Sequence, residues 1–181
     1  MEQIKICIIV AMDKNGVIGH GEKIPWILAD DYKLNFVPKT KDCLVIMGRK
    51  TAETLPGPLK NRTNIVVSRN KNLQLKDGFI IVDNVFKAVR EASNFGNIIW
   101  CIGGAQIYRE FEKNFSIDEY HITYVDGEFE SPWGVPEIIF KPDLSKYLEY
   151  SEESFYKREP SEKDGKRDRG NSHNFKVAIY S

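Results

Sequence analysis

Apolar residues along this chain gather in short runs. Residues 4–12, 43–47, 64–68, 79–82, 98–102 and 121–125 are apolar, rich in β-branched side chains and mostly bounded by turn-forming or charged residues, which is the pattern of strands. Several are continuously apolar rather than alternating, as expected of strands covered on both faces in a mainly parallel sheet. Between them, 28–37, 50–55, 84–95 and 105–113 have helical character. In the third of these, Val85, Ala88, Val89 and Ala92 recur at helical spacing, and Asn84 or Asp83 can accept the free backbone N–H groups of the first turn. Alternating strands and helices predict an α/β architecture. The final third differs: 152–156 and 175–180 read as two strands joined by the charged stretch 157–171, which carries Asp164-Gly165 and Arg169-Gly170. That predicts a C-terminal antiparallel β-hairpin with a long, solvated loop.

Length and charge narrow the function. The 181 residues suit one domain, 1–181. The 26 Lys and Arg balance the 26 Asp and Glu, so no broad field exists to hold nucleic acid or an acidic membrane, and a small-molecule ligand is expected. The longest apolar run, Ile6 to Met12, is seven residues, far below the roughly 20 that span a bilayer. The N-terminus lacks the pattern of a secretory signal. Cys7, Cys43 and Cys101 are odd in number and lie in or beside apolar segments, which points to reduced thiols in a cytoplasm. CxxC is absent, and His20, His121 and His173 are too far apart to form a local metal motif.

Candidate chemistry lies where strands end, because ligands of open α/β sheets bind outside the carboxyl ends of strands. After 44–47, Gly48-Arg49-Lys50-Thr51 brings two cations and a hydroxyl to a helix start, an anion site in outline. A glycine turn with two solvated cations is the alternative, and the spacing is not that of a P-loop. After 65–67 come Ser68 and Arg69, a hydroxyl and a guanidinium suited to phosphate. After 98–102 come Gly103-Gly104-Ala105, where a ligand could approach backbone N–H groups or the chain could simply turn tightly. The stretch 16–26 is a glycine-punctuated loop followed by Asp30-Asp31. It reads as a mobile lid beside a carboxylate, or as two acidic residues favouring the positive end of a helix.

In this order, the pieces resemble dihydrofolate reductase from residue 4 to residue 180. Asn15-Gly16-Val17-Ile18-Gly19 is similar to the start of that family's mobile loop and Ile24-Pro25-Trp26 to its end. Asp31, five residues after Trp26, falls at its single active-site carboxylate. Val45-Ile46-Met47-Gly48-Arg49-Lys50-Thr51 resembles the VIMGR-x-T segment, residues 64–69 the next strand with its phosphate contact, and Ile102-Gly103-Gly104-Ala105-Gln106-Ile107-Tyr108 the glycine-pair segment. The resemblance implies hydride transfer from NADPH to C6 of 7,8-dihydrofolate with a proton delivered to N5. It implies catalytic roles for Asp31, Trp26 and Thr123, and water admitted by the 16–26 loop as the immediate proton donor. Substrate would meet Ile9, Val10, Leu55, Leu59, Ile102 and Tyr108 as well as Asp31 and Thr123, with Arg62 on the carboxylate of its glutamyl tail. NADPH would meet Ala11, Ile18, Gly19, Gly48, Arg49, Lys50, Thr51, Ser68, Arg69, Gly103, Gly104, Ala105, Gln106 and Ile107. Dihydrofolate as substrate and antifolates as inhibitors follow from the same resemblance; a monomer is expected, and the charge balance, apolar run lengths and cysteines already point to a cytoplasmic protein with no nucleic-acid or membrane partner.

Three features depart from the family pattern. Four residues after the carboxylate, where the family usually has an aromatic ring, stands Asn35, with Phe36 one place late. A distorted helix, a ring covered by Leu34 instead, or Asp30 as the working carboxylate would each account for it. The stretch 130–140 lacks the Gly-Asp pair whose aspartate often holds the mobile loop, and 157–171 is an added charged segment. Two rival functions use the same fold: an NADPH-dependent reductase of a riboflavin-pathway pyrimidine, against which Trp26, Asp31 and Arg62 argue, and a non-catalytic binding module.

Overall fold

The continuously apolar runs at 4–12, 43–47 and 98–102 become largely buried strands of a parallel sheet, because both of their faces are packed, whereas the run at 79–82 is only half-buried at its edge. The computed structural model describes residues 4–163 and 166–181, so the Asp164-Gly165 turn expected from the sequence lies outside the described residues. The chain divides into two compact units, one running up to Ile9 and over Thr40–Tyr120, the other covering Val10–Lys39 and His121–Ser181.

The first unit holds the start of β1 (Lys5–Met12) with β3 (Leu44–Gly48), β4 (Thr63–Val67), β5 (Phe79–Val82) and β6 (Ile98–Gly103). Their order is β5-β4-β3-β6-β1, and every pairing is parallel. Val45, Ile46, Met47, Ile65, Val66, Ile99 and Cys101 are sealed from solvent in this sheet. Helices α2 (Arg49–Thr54), α3 (Val85–Ala92) and α4 (Ala105–Asn114) belong to the same unit. As expected, α3 starts at Asn84, whose Oδ1 accepts from Lys87 N at 2.9 Å, and buries Val85, Ala88 and Ala92. In α4, Phe111 is fully buried, worth about 2–3 kcal/mol of apolar burial.

The second unit is antiparallel. Most of β7 (Glu119–Val125) lies in it beside β12 (Phe175–Tyr180), which neighbours β9 (Glu149–Phe155). Strands β9 and β12 pair in the predicted antiparallel sense, Phe155 opposite Phe175, with their rings stacked at 4.7 Å. Trp26, Leu28, Val125, Phe175 and Val177 form the core beneath. The structure corrects three sequence readings. The 16–26 loop contains β2 (Val17–His20), paired with β8 (Glu137–Ile139). The 157–171 loop contains β10 (Ser161–Lys163) and β11 (Lys166–Asp168), an antiparallel pair. The helix expected over 28–37 is a π turn, Asp31–Phe36, leading into the short helix α1 (Val37–Thr40). Among the described residues, no helix is long and apolar enough to cross a membrane.

Candidate active site

Register alone collects three of the predicted loops. Gly48 at the end of β3 lies opposite Val67 at the end of β4, and Met47 opposite Gly103 at the end of β6. Gly48-Arg49-Lys50-Thr51, Ser68-Arg69 and Gly103-Gly104 therefore emerge together. Gly48 and Gly104 precede α2 and α4, and no side chain caps either helix. A methyl group added at Gly48 would strike Ile107 at 2.9 Å. At Gly103, where φ is +113°, it would strike the Tyr108 hydroxyl at 2.9 Å, the hydroxyl that donates to Ile9 O at 2.8 Å. Gly104 is roomier: its added carbon would meet only Thr51 Oγ1, at 3.6 Å. The glycines thus let two helix starts and the Thr51 hydroxyl stand close together, with Ala105 and Ile107 buried behind and Gln106 exposed.

The charges around these loops are not equivalent. Arg49 gives Nη1 to both carboxylate oxygens of Glu53, at 2.9 and 2.8 Å, so any ligand phosphate shares it with an existing partner. Lys50 and Arg69 are exposed. The Ser68 hydroxyl accepts from Asn70 N at 3.1 Å and keeps its own proton to donate. Uncapped helix starts, hydroxyls and cations are the donor set that a phosphorylated dinucleotide needs.

The segment that follows β3 also carries the expected substrate-tail residues. The buried side chain of Asn64 ties 59–62 into one loop, accepting from Leu59 N at 2.9 Å and donating to Leu59 O and Arg62 O. Arg62 sends Nε to Thr40 Oγ1 at 2.8 Å and Nη1 to Lys60 O at 2.7 Å. That fixes the plane of its guanidinium. Leu55, Leu59 and Ile102 are half-buried, and Ile9 is buried on β1.

In the second unit, Asp31 opens the π turn and faces β7. Its Oδ1 accepts from the Thr123 hydroxyl at 2.6 Å and from the Asn35 amide at 3.0 Å. Its Oδ2 has no hydrogen-bond partner among the described residues. Burial pushes this carboxyl above the ordinary 3.8, opposed by the Thr123 and then the Asn35 hydrogen bond. Asp30 is built the other way. Its carboxylate takes Arg158 Nη2 at 2.7 Å and the Asn171 amide at 2.7 Å, and the Arg158 bond above all holds its pKa below the ordinary range. Asp168 joins the network through Arg158 at 3.1 Å and Lys33 at 2.5 Å. Of the two adjacent carboxyls, then, Asp30 is consumed by structure and Asp31 presents a free oxygen.

The departures now have physical accounts. The N–H of Val37 bonds to Tyr32 O, a five-residue closure, so the turn takes up one residue more than an α-helical turn. Asn35 is thereby buried against Asp31, while Leu34 is 62% exposed. The loop lacking its Gly-Asp partner is held differently. Buried Asp13 accepts from Asn15 N and Val17 N on Oδ1, both at 2.8 Å, and from Phe129 N on Oδ2 at 3.2 Å. His20 Nε2 lies 2.8 Å from Phe129 O; a carbonyl only accepts, so that nitrogen carries the proton. Gly19, buried, and Ile18, half-buried, lie on β2. Trp26 is buried edge-on against Phe129 at 4.8 Å, with Ala11 packed on the same cluster and Val10 buried nearby in sequence.

Sequence reasoning missed Asp13, His20, Arg158, Asp168 and Asn171 as tethers. Only Asp13 left a signal, since Asp-x-Asn-Gly is a turn in which the first side chain bonds backbone N–H groups ahead of it. The others depend on pairings across more than a hundred residues.

Known proteins resemble this chain over most of its length. A family model described as dihydrofolate reductase matches residues 5–180. The dihydrofolate reductase of Buchnera aphidicola subsp. Acyrthosiphon pisum (strain APS) is 37% identical over 140 residues, 77% of this chain and 83% of that protein. The type 1 dihydrofolate reductase of Escherichia coli is 31% identical over 154 residues, 82% of this chain and 96% of that one. A solved structure of Enterococcus faecalis dihydrofolate reductase, complexed with NADP(H) and RAB-propyl, superposes with a TM-score of 0.78 at 25% identity. It covers 97% of this chain and 95% of its own.

Proposed function

Because the chain belongs to the dihydrofolate reductase family, as the match over residues 5–180 shows, we propose that Asp31 is the carboxyl that holds the pterin. The chain is an NADPH-dependent oxidoreductase reducing 7,8-dihydrofolate to tetrahydrofolate. The observation that carries the residue assignment is the free Oδ2 of Asp31 beside an Oδ1 already saturated by Thr123 and Asn35. A 2-aminopyrimidine edge offers two N–H donors to such a carboxyl, and an antifolate with the same edge would use the same oxygen.

NADPH, when bound, supplies the hydride. Thr51, Ser68, Lys50, Arg69 and the α4 start after Gly104 would hold its phosphates, with Arg49 shared between phosphate and Glu53. Arg62, its plane set by Thr40 and Lys60 O, would take the glutamyl carboxylate. Ile9, Val10, Leu55, Leu59, Ile102 and Tyr108 would supply the apolar surroundings of the substrate. Asp31 stands at the pyrimidine edge and cannot reach N5 of the pterin, so water admitted beside the 16–26 loop delivers that proton. The raised proton affinity of Asp31 couples the bound ring to that protonation. Trp26, wedged on Phe129, fixes where the loop rejoins the fold.

We propose further that the chain acts as a single catalytic domain and a monomer in the cytoplasm. Its cysteines are free thiols, Cys7 and Cys101 buried, which supports a reducing compartment. Oxidation of NADPH by dihydrofolate, run beside NADH and an Asp31→Asn variant, tests the function. Turnover that prefers NADPH and collapses in the variant is the expected result; turnover that survives it removes Asp31 from the role.

A further inference from the structure

Asn35 is the residue that the site's geometry singles out beyond the assignments above. A primary amide next to a carboxyl has to be explained here, because Asn35 is 5% exposed and lies on a turn whose neighbours Tyr32 and Leu34 face solvent. In a regular α-helix, an amide at that position and a ring at the next would point about 100° apart. The π turn, closed by Val37 N–H on Tyr32 O, changes that relation and seats Asn35 Nδ2 3.0 Å from Asp31 Oδ1. Thr123 reaches the same oxygen from β7 at 2.6 Å. Two donors from two elements therefore converge on one oxygen and leave the other open.

We propose that Asn35 is a positioning residue of the reductase site: its amide and the Thr123 hydroxyl clamp Oδ1 of Asp31, fixing the carboxyl plane so that Oδ2 faces the substrate. This rests on the assignment of Asp31 given above. The amide is a donor to the ionised carboxyl, so it favours that form, as any hydrogen bond to the charged state does. Asn35 thereby keeps Asp31 an acceptor in surroundings whose burial works the other way.

The charged groups nearby do not take over this task. On the same segment, Asp30 and Lys33 are paired with Arg158 and Asp168, and those two belong to the 157–171 stretch, where they also pair with each other. On β7, the ring of His121 is buried two residues before Thr123. None of these four ions nor His121 contributes to the shift of Asp31, which comes from burial and the two neutral donors.

The test needs no substrate in its first arm. The carboxyl carbon of Asp31, followed by NMR in the free protein, should titrate about one pH unit higher in Asn35→Leu than in the wild type. Asn35→Gln, which keeps an amide donor, should return most of that shift. In the second arm, the midpoint of the pH profile of kcat/KM for dihydrofolate should move upward with it, since that profile reports the free enzyme. If the leucine variant does not fold, Asn35→Ala carries both arms. Midpoints that stay at the wild-type pH overturn the proposal, and so does a glutamine variant indistinguishable from leucine. A wild-type protein that does not oxidise NADPH with dihydrofolate would instead refute the reductase reading, leaving the NMR arm to decide the clamp.

Discussion

The glycine-lined strand ends of the first unit and the Asp31 site of the second are built from different material. Around Gly48, Gly103 and Gly104 the donors are backbone N–H groups, hydroxyls and several cations spread over three loops. At Asp31 a single carboxyl is held by two named side chains. As a phosphate site, the first arrangement would spread binding over many donors, so that losing any one of them should cost little. The second rests on one carboxyl, whose proton affinity is set first by burial and then by its two partners. Recognition of a highly charged ligand can be shared in this way, whereas choosing the protonation state of a single group cannot.

The largest effect that would break this contrast is at the carboxyl. Asp31→Asn should lower kcat/KM for dihydrofolate by about 100-fold or more, while Asp30→Asn, which alters only a structural partner of Arg158 and Asn171, should stay within a few-fold. Steady-state NADPH oxidation measures both; equal losses would erase the distinction between the two residues. Next comes Gly103→Ala, which combines a φ of +113° with contact on Tyr108. It should cost about 1–3 kcal/mol of stability by thermal or urea unfolding, whereas Gly104→Ala, with only Thr51 Oγ1 at 3.6 Å, should unfold near the wild-type midpoint. A smaller effect is expected from Arg69→Gln: about tenfold weaker NADPH binding by fluorescence titration, as for one charged contact among several.

The smallest effect sharpens the comparison inside the carboxyl site itself. Asp30 and Asp31 are neighbours with proton affinities displaced in opposite directions from 3.8. For Asp30, lowered on folding, the stabilisation is present above the ordinary carboxylate range and is lost as pH falls through its folded value. For Asp31, raised on folding, it is present below that range and is lost as pH rises through its folded value. NMR titration of the two carboxyl carbons should show midpoints on opposite sides of 3.8, and Arg158→Ala should move only that of Asp30 upward. A shift of Asp31 in that variant would mean the two sites are coupled.

Much of this is legible in the sequence. The parallel strands announce themselves because burial on both faces leaves no polar alternation, and Phe79–Val82 and Phe175–Tyr180 have the expected limits. The glycine-ended loops were legible because a strand followed by glycine and a helix admits few geometries. What stayed hidden depends on distance in sequence or on turn type. Nothing local says that Arg158 and Asn171 will bind Asp30, since those bonds span 128 and 141 residues. β2 and β8 are short and only partly buried, so neither carries a strong apolar run. The five-residue closure at Val37 is likewise invisible to a periodicity built on 3.6 residues; the displaced Phe36 was its only trace.

That closure has a bearing on how such a site can change. The π turn stores one residue of slack between a carboxyl and the ring that follows it. Losing the single codon for Asn35 would tighten the turn to four-residue closure and bring Phe36 to the fourth place after Asp31, with no substitution anywhere. An insertion or deletion at this point is thus equivalent to exchanging a hydrogen-bond donor for an aromatic face. The acidity of the site is written in the length of the chain as well as in its letters.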